Sequence, residues 1–504
     1  MVAGLPKVRG APDHPPYTVH APRPPGHGPQ RQDVPATMPN PEKNDEKHDL
    51  PLPRLERRLN STRRLRWGAP VWLVLVAFLL VALHVHAYTR VGPVDELQHI
   101  DYLYKVPAIL ASGDSVGQDA MREESCRGID SPGFVTPACS KTAVYNPRVF
   151  QELGYNTAAI NTPLYYTLTK VVAAPLKFFG GLDSLVTAGR LVGAVWLSLG
   201  LVLAYAAGRR LAIDRLPLAA VLTAFACAPA IVYPASTITP DAASFAAGAG
   251  VFLTCLYWEG APRRRWPLLV LVSIIVLLLK MTNVMVLFAI GIYMTIRIMR
   301  ALIARRTVVS AEDPRSNRVV APWLMGGVVL SVTTAVTLGT ILWIQRSLSH
   351  GDLSIVPMNQ RFTVDAFPTQ GVIEQFGIFI NPLGPIGITV GNPLIQMLIE
   401  RVVGAFFIAG IVGAGLFWGP NTRARPYAQA WLITAVIGGP LFVIVSYVGQ
   451  SVYVPPPGRY AVTLVPAVAV MTAGLLKTRA VQGVVALGSV GLLAASVLRL
   501  LWAI

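Results

Sequence analysis

Two adjacent acids, Asp95 and Glu96, are the residues best suited to chemistry in this sequence, and they lie in the stretch 93–99 (PVDELQH). In a helix, Asp95 and His99 share a face because they are four positions apart, and Glu96 points about 100° away. A carboxylate can act as a general base toward a hydroxyl group, and two carboxylates can hold Mg²⁺ or Mn²⁺. The structural alternative is a helix cap, since acids at a helix start stabilise its dipole. We therefore nominate Asp95, Glu96 and His99 as catalytic, and the two acids also as metal ligands.

Further charged and aromatic residues stand where apolar segments begin or end. The candidates for substrate binding are Tyr165, Arg190, Asp241, Lys280, Arg459 and Tyr460. An arginine can bind a phosphate through two parallel hydrogen bonds, and a charge inside an apolar span is costly unless it is paired or functional. Each type also has an ordinary role: Asp241 as an N-cap, Lys280 reaching toward headgroups, tyrosines as interface anchors. Acids and cations around one cavity suit a reaction on a lipid-linked phosphate.

The composition is that of a membrane protein. Of 504 residues, 53% are hydrophobic and 14% are charged, and the mean hydropathy is +0.51. A soluble chain carries roughly a quarter charged residues. The net charge of +17 comes mostly from short basic stretches between apolar runs, which is typical of membrane topology. Membrane lipids are therefore the expected partners, and nucleic acid is excluded.

Apolar stretches long enough to cross a bilayer, about 20 residues each, predict an all-α polytopic transmembrane bundle. The eleven predicted spans are 70–88, 186–208, 216–234, 241–258, 266–280, 283–299, 322–345, 397–419, 427–448, 459–476 and 481–503. The stretch 162–180 is also apolar, but counting it as a span would place Arg209 and Arg263 outside. We therefore predict an interfacial amphipathic helix there. A count of 12 or 13 spans is the alternative.

The distribution of basic residues predicts the orientation. With the N-terminus inside, every predicted inner loop is basic, whereas the outer connections 235–240 and 449–458 contain no Lys or Arg. The sequence thus predicts a multi-pass protein of the inner (plasma) membrane with an extracytoplasmic C-terminus. Residues 1–66 are polar and rich in proline, which predicts a disordered cytoplasmic tail before a transmembrane domain over 67–504.

Two large loops face outward in this topology, 89–185 and 346–396. Long loops in a compact membrane protein are usually functional, and both could cap one cavity. The first loop contains Cys126 and Cys139, which predict a disulfide in an oxidising compartment, with two free thiols as the alternative.

The order of these motifs resembles a bacterial family of polytopic membrane proteins catalogued as a domain of unknown function. The resemblance rests on the acidic pair after the first span, the stretch 161–166 (NTPLYY), Pro240-Asp241 and the late Gly-Arg-Tyr at 458–460, and it covers about 70–475. The layout is also similar to GT-C glycosyltransferases, such as protein mannosyltransferases and lipid A aminoarabinose transferases.

That resemblance implies transfer of a sugar from a polyprenyl-phosphate donor to an envelope acceptor on the outer face, usually with inversion. It places a catalytic acid in the first outer loop, matching Asp95 or Glu96, and an interfacial helix at 162–180. It also implies that Arg459 and Lys280 face the carrier phosphate. This sequence departs from the pattern at Val94 and Thr162 and has no large soluble C-terminal domain. Two other functions fit the same residues: a transporter or flippase for a lipid-linked or anionic substrate, and a non-catalytic membrane scaffold.

Overall fold

The computed structural model describes residues 53–131, 134–307, 315–418, 422 and 424–503. Residues 1–52 of the predicted tail lie outside these ranges. The first helix, Pro53–Ala87, includes residues 53–66 of the predicted tail.

Within the described ranges the chain is helical, with isolated β-bridges and no β-strand. The α-helices are α1 (Pro53–Ala87), α2 (Glu96–Lys105), α3 (Gln118–Arg127), α4 (Leu164–Gly180), α5 (Leu185–Arg210), α6 (Arg215–Ala226), α7 (Pro229–Ala235), α8 (Ser244–Trp258), α9 (Pro262–Leu279), α10 (Val284–Thr307), α11 (Arg315–Leu348), α12 (Pro357–Phe362), α13 (Thr369–Glu374), α14 (Pro393–Phe417), α15 (Arg425–Gln450), α16 (Val465–Leu475) and α17 (Arg479–Leu501).

Eight helical segments in the described part of the chain are long and apolar enough to cross a membrane, as expected of a multi-pass membrane protein. They are Trp67–Ala87, Leu185–Arg210, Met281–Ile303, Val320–Leu348, Pro393–Phe417, Arg425–Gln450, Gly458–Leu475 and Arg479–Leu501. The helices α6 and α7 would add a ninth if they form one broken span, because they meet at a bend of 70°. Pro229 begins α7 and marks this break.

The other two predicted spans also form helices, but each falls short of a standard span. Helix α8 has only 15 residues, and α9 has 18 residues that include three arginines in its first turn. A helix needs about 20 apolar residues to cross a bilayer unaided. The helical character predicted for these segments is therefore confirmed, while their crossing of the membrane stays a prediction.

The first loop folds into helices that pack on the start of α5. Helix α2 is buried along nearly its whole length, and Leu97, Ile100 and Leu103 join a core cluster with Val186 of α5. The cluster also contains Tyr165 of α4, the helix predicted for 162–180. Helix α4 is not among the candidate spans, and it exposes Phe178 and the neighbouring Phe179 at its end.

The segments 88–163 and 349–392 lie together at one end of the bundle, which we call the loop end. The backbone N–H of His350 donates a hydrogen bond to the carbonyl of Ser112 at 3.1 Å, and Arg361 pairs with Glu152. The Gln345 side chain at the end of α11 donates to the carbonyl of Ile160. The two loops predicted to cap one cavity therefore do contact each other.

Candidate functional site

The Glu96 carboxylate is buried and fully engaged by partners from distant parts of the chain. Arg190 of α5 grips it with two hydrogen bonds, from Nε to Oε1 at 2.9 Å and from Nη2 to Oε2 at 2.7 Å. The backbone N–H of Gly92 donates to Oε2 at 2.5 Å, and that of Ile238 donates to Oε1 at 2.9 Å. Both side chains of the ion pair are almost completely buried. These bonds leave no carboxylate oxygen for a hydroxyl group or metal, so the catalytic and metal roles predicted for Glu96 do not match this geometry.

Arg190, predicted to bind substrate, is likewise committed to structure. Two of its other three N–H groups donate to the carbonyls of Tyr88 at 2.9 Å and Arg90 at 2.6 Å. Four of the five donors of Arg190 therefore bond within the protein, and its side chain is 1% exposed, so it is not open to a phosphate. The Glu96–Arg190 pair instead holds the end of α1, the start of α2 and the start of α5 together.

The neighbouring acid, Asp95, differs from Glu96 because its carboxylate is accessible and unpaired among the described residues. Its side chain is exposed, makes no capping hydrogen bond, and has no hydrogen-bond or ion-pair partner among the residues that the structure describes. Its backbone is left-handed, with φ of 55° and ψ of 10°, which is uncommon for a residue other than glycine. This turn separates the two acids: Glu96 enters the core while Asp95 stays accessible.

The surroundings of Asp95 favour a basic carboxylate. Neighbouring residues partly desolvate it, and this is the main cause that raises its pKa. We call the solvent-accessible place around this carboxylate, together with the residues whose charges act on it, the recess. The Glu152 charge raises the pKa further, while Arg459, Lys280 and Arg361 oppose it. A carboxylate with a raised pKa in a recess that solvent can reach is suited to accepting a proton.

His99 lies one turn after Asp95 but points into the protein. Its Nδ1 atom is 2.7 Å from the hydroxyl of Tyr166, and its ring stacks on the Tyr166 ring with centroids 5.9 Å apart. Burial, with the nearby Lys280 charge, lowers the pKa of His99 to about 3, so the ring is neutral at physiological pH. The predicted catalytic role of His99 thus becomes one of positioning α2 against α4. Tyr165, predicted to bind substrate, is 1% exposed and packs against Tyr166 and Trp196.

Asp241, Lys280, Arg459 and Tyr460, all nominated for substrate binding, lie together in one cluster. Lys280 Nζ pairs with Asp241 Oδ1, and Arg459 Nε lies 3.7 Å from Asp241 Oδ2. The Tyr460 ring lies beneath both cations, 4.9 Å from Lys280 Nζ and 5.7 Å from the Arg459 guanidinium. The Lys280 and Asp241 side chains are 11% and 12% exposed, whereas Arg459 is 35% exposed. Arg459 therefore keeps donors available for an anion.

Glu152 and Arg361 also border Asp95, and sequence reasoning did not nominate them. Glu152 lies in the 3-10 turn Gln151–Gly154 of the first loop, and Arg361 ends α12 in the second. The two residues are 209 positions apart, so no local motif links them. The only sequence signal was that both large loops were placed on the same side.

Left-handed backbone is concentrated around this recess. Glu152 and Leu153 have φ of 53°, and Ser451 has φ of 54°, although none is glycine. Ser451 accepts a hydrogen bond from the backbone N–H of Val364, two residues after α12. Such conformations cost about 1–3 kcal/mol each and tend to occur at functional sites. They support the assignment of the recess around Asp95 as the candidate site.

The donor set does not suit a metal shared by Asp95 and Glu96, because Glu96 is bound to Arg190 and cations surround Asp95. In the described part of the chain, no group of three His, Cys, Asp or Glu side chains has metal-binding geometry. The predicted disulfide between Cys126 and Cys139 is present and ties the end of α3 to the segment that follows. The chain matches no protein-family model and no curated protein sequence.

Proposed function

We propose that this chain is an integral-membrane glycosyltransferase of the GT-C type that transfers a sugar from a polyprenyl-phosphate donor to an acceptor in the cell envelope. The observation that carries the proposal is the free Asp95 carboxylate together with Arg459, which is 35% exposed and whose charge acts on Asp95. A base and an anion-binding cation around one recess are what such a transfer requires.

In the proposed topology eleven spans cross the inner membrane. They are the eight candidate segments, the broken pair α6–α7, and the helices α8 and α9. An odd number of spans places the two termini on opposite sides, and the basic loops keep the N-terminus in the cytoplasm. The loop end then faces outward, where a lipid-linked sugar and an envelope acceptor would meet.

In the proposed mechanism Asp95 is the general base. Its carboxylate takes the proton from the acceptor hydroxyl, and the hydroxyl oxygen attacks the anomeric carbon of the donor sugar. The bond between that carbon and the phosphate oxygen breaks, and its electron pair leaves with the polyprenyl phosphate. Arg459 stabilises the charge of the departing phosphate, and Asp95 then releases its proton to solvent. Attack opposite the leaving group inverts the anomeric configuration.

No step of this mechanism passes through a metal. A single accessible carboxylate among cations is a poor site for Mg²⁺ or Mn²⁺, which bind through several oxygen ligands. We therefore expect sugar transfer to persist when a metal chelator is present.

The first test is Asp95→Asn, which keeps the shape of the side chain but removes the base. We expect sugar transfer to fall at least about 100-fold, because general-base catalysis contributes about 10²–10⁴-fold. Cells that depend on this variant should accumulate the polyprenyl-phosphate sugar, visible in lipid extracts by mass spectrometry. Because the pKa of Asp95 is raised, the acid limb of the wild-type rate profile should lie above the ordinary aspartate range. Full activity of Asp95→Asn would overturn the proposal.

Two variants control this test. Asp119→Asn removes an exposed acid of α3 whose ion-pair partner is Arg122, on the same helix, and it should leave transfer unchanged. Glu96→Gln breaks a buried ion pair, which costs about 3–5 kcal/mol, so it should lower the melting temperature where Asp95→Asn does not. Uptake of an anionic substrate into proteoliposomes without turnover of the lipid donor would instead identify a transporter. If cells that carry Asp95→Asn or Glu96→Gln turn over the lipid donor normally, the result would favour a non-catalytic scaffold.

A further inference from the structure

Arg361 is the cation that the second loop contributes to the recess. Its side chain is 57% exposed, and its guanidinium pairs with Glu152 from the first loop. The charges of both residues act on the Asp95 carboxylate. The pair therefore lies at the mouth of the recess, on a different loop from the Asp241–Lys280–Arg459 cluster.

The backbone holds Arg361 in register with the segment that leads to Arg459. The backbone N–H of Tyr453 donates to the carbonyl of Phe362 at 2.8 Å, and that of Val364 donates to Ser451 at 3.0 Å. Three consecutive prolines at 455–457 then lead to Arg459, and proline restricts chain freedom. Both arginines are thus carried by segments that hydrogen-bond to each other, and the charges of both act on Asp95 in the recess.

Glu152 is an incomplete partner for Arg361. One of its carboxylate oxygens pairs with Arg361, while the other, Oε2, is buried and has no hydrogen-bond partner in the described part of the chain. Its backbone is left-handed, with φ of 53°. The Arg361 side chain is 57% exposed, so an anion can reach it and take the place of this carboxylate. A phosphate offers Arg361 two oxygens in the geometry that a guanidinium prefers.

We propose that Arg361 is a binding residue for the phosphate of the lipid donor, and that Glu152 occupies its guanidinium only while the recess is empty. Donor binding then breaks this ion pair between the two loops, and Arg361 and Arg459 both bind the phosphate in the recess. This inference rests on the proposed function for the nature of the ligand. It adds a residue to the site and a ligand-dependent contact between the loops.

Whether each substitution strengthens or weakens phosphate binding distinguishes this exchange from a purely structural ion pair. If Glu152 competes with the ligand, Arg361→Gln weakens phosphate binding whereas Glu152→Gln strengthens it. If the pair only braces the loops, both substitutions weaken binding to a similar extent. Arg361→Lys keeps the charge without the planar fork and should fall between wild type and Arg361→Gln.

The experiment measures equilibrium binding of a short-chain polyprenyl phosphate to the purified full chain in detergent, with the corresponding polyprenol as the uncharged probe. For Arg361→Gln we expect at least about a ten-fold loss for the phosphate, from the loss of a charged hydrogen bond, and no change for the polyprenol. Arg148→Gln, which removes an exposed arginine of the first loop, is the matched control and should bind as wild type does. Phosphate binding unchanged in Arg361→Gln, or weakened in Glu152→Gln, would overturn the inference.

The binding test of Arg361 can succeed or fail independently of the test of the proposed function. Loss of transfer in Asp95→Asn with unchanged phosphate binding in Arg361→Gln would leave the function standing and reject the role of Arg361. Phosphate binding that depends on Arg361 in a wild-type protein that transfers no sugar would support Arg361 and reject the transferase.

Discussion

Asp95 and Glu96 are neighbours in the chain, yet the fold gives their carboxylates opposite surroundings. The left-handed turn at Asp95 leaves one acid in the recess and directs the other to Arg190 in the core. The partners of Glu96 are 94 and 142 positions away, at Arg190 and Ile238. The sequence predicted that the pair matters, but no local pattern distinguishes the base from the buried brace.

Glu124 of α3 supplies a second test at the scale of single residues. Its side chain is buried, and neither carboxylate oxygen has a hydrogen-bond partner among the described residues. Burial, with the nearby Glu96 charge, raises the pKa of Glu124 from 4.5 to about 7. The folded protein therefore holds a proton that the unfolded chain releases above pH 4.5, and wild type loses stability as the pH rises from there through 7.

Glu124→Gln removes this ionisation while keeping the size of the side chain. We expect the variant to be more stable than wild type at pH 8, by about 3 kcal/mol at most, and the difference to disappear near pH 4.5. Melting temperatures of the purified protein at the two pH values provide the measurement. Asp119→Asn on the same helix is exposed and should show no such pH-dependent difference. A gain that is equal at both pH values would contradict the assignment.

At the scale of elements, the site depends on how closely α8 approaches the 3-10 segment Gly458–Leu464. Asp241 lies in the turn before α8, and Arg459 lies in the 3-10 segment, so this contact sets their separation. A Cβ atom on Gly248 of α8 would lie 1.9 Å from the carbonyl oxygen of Thr463. Only glycine permits this approach, because the obstacle is backbone that cannot rotate away.

Gly248→Ala should therefore force the two elements apart. We expect a loss of about 1–3 kcal/mol of stability, as for other overpacked interiors, together with reduced transfer activity. Gly291→Ala in α10 is the matched control, because a Cβ atom there meets nothing within 4 Å. Thermal unfolding of both variants in detergent provides the comparison. Equal melting temperatures for the two substitutions would show that α8 can move without cost.

At the scale of the whole molecule, the two large loops form one layer at the loop end, and the proposed function requires that layer to be extracytoplasmic. Basic residues cluster at the opposite ends of the helices, at Arg209 and Arg210 in the last turn of α5 and at the start of α9. Positively charged loops remain in the cytoplasm during insertion. The charge pattern and the position of the candidate site therefore require the same orientation.

Cysteine labelling tests that orientation. Val144→Cys lies in the first loop at a position that is 86% exposed, and it should react with a membrane-impermeant maleimide in intact spheroplasts. Arg264→Cys, exposed near the start of α9, should react only after permeabilisation. The native Cys227 and Cys255 are buried, and the other two cysteines are joined in a disulfide, so background labelling should be low. The reverse pattern would place the recess in the cytoplasm and reject the proposed substrate.

The sequence by itself determined the helical character of this protein, the positions of its apolar segments and the location of Asp241, Lys280 and Arg459 at the ends of those segments. Hydropathy and charge act over a single segment, so they can be identified from local composition. Only the tertiary structure decided that Asp95 is free, that Glu96 and Arg190 form a buried brace, and that Arg361 meets Glu152. These ion pairs join residues that are far apart in the chain and come together only when the helices and loops pack. Local periodicity in the sequence therefore cannot predict them.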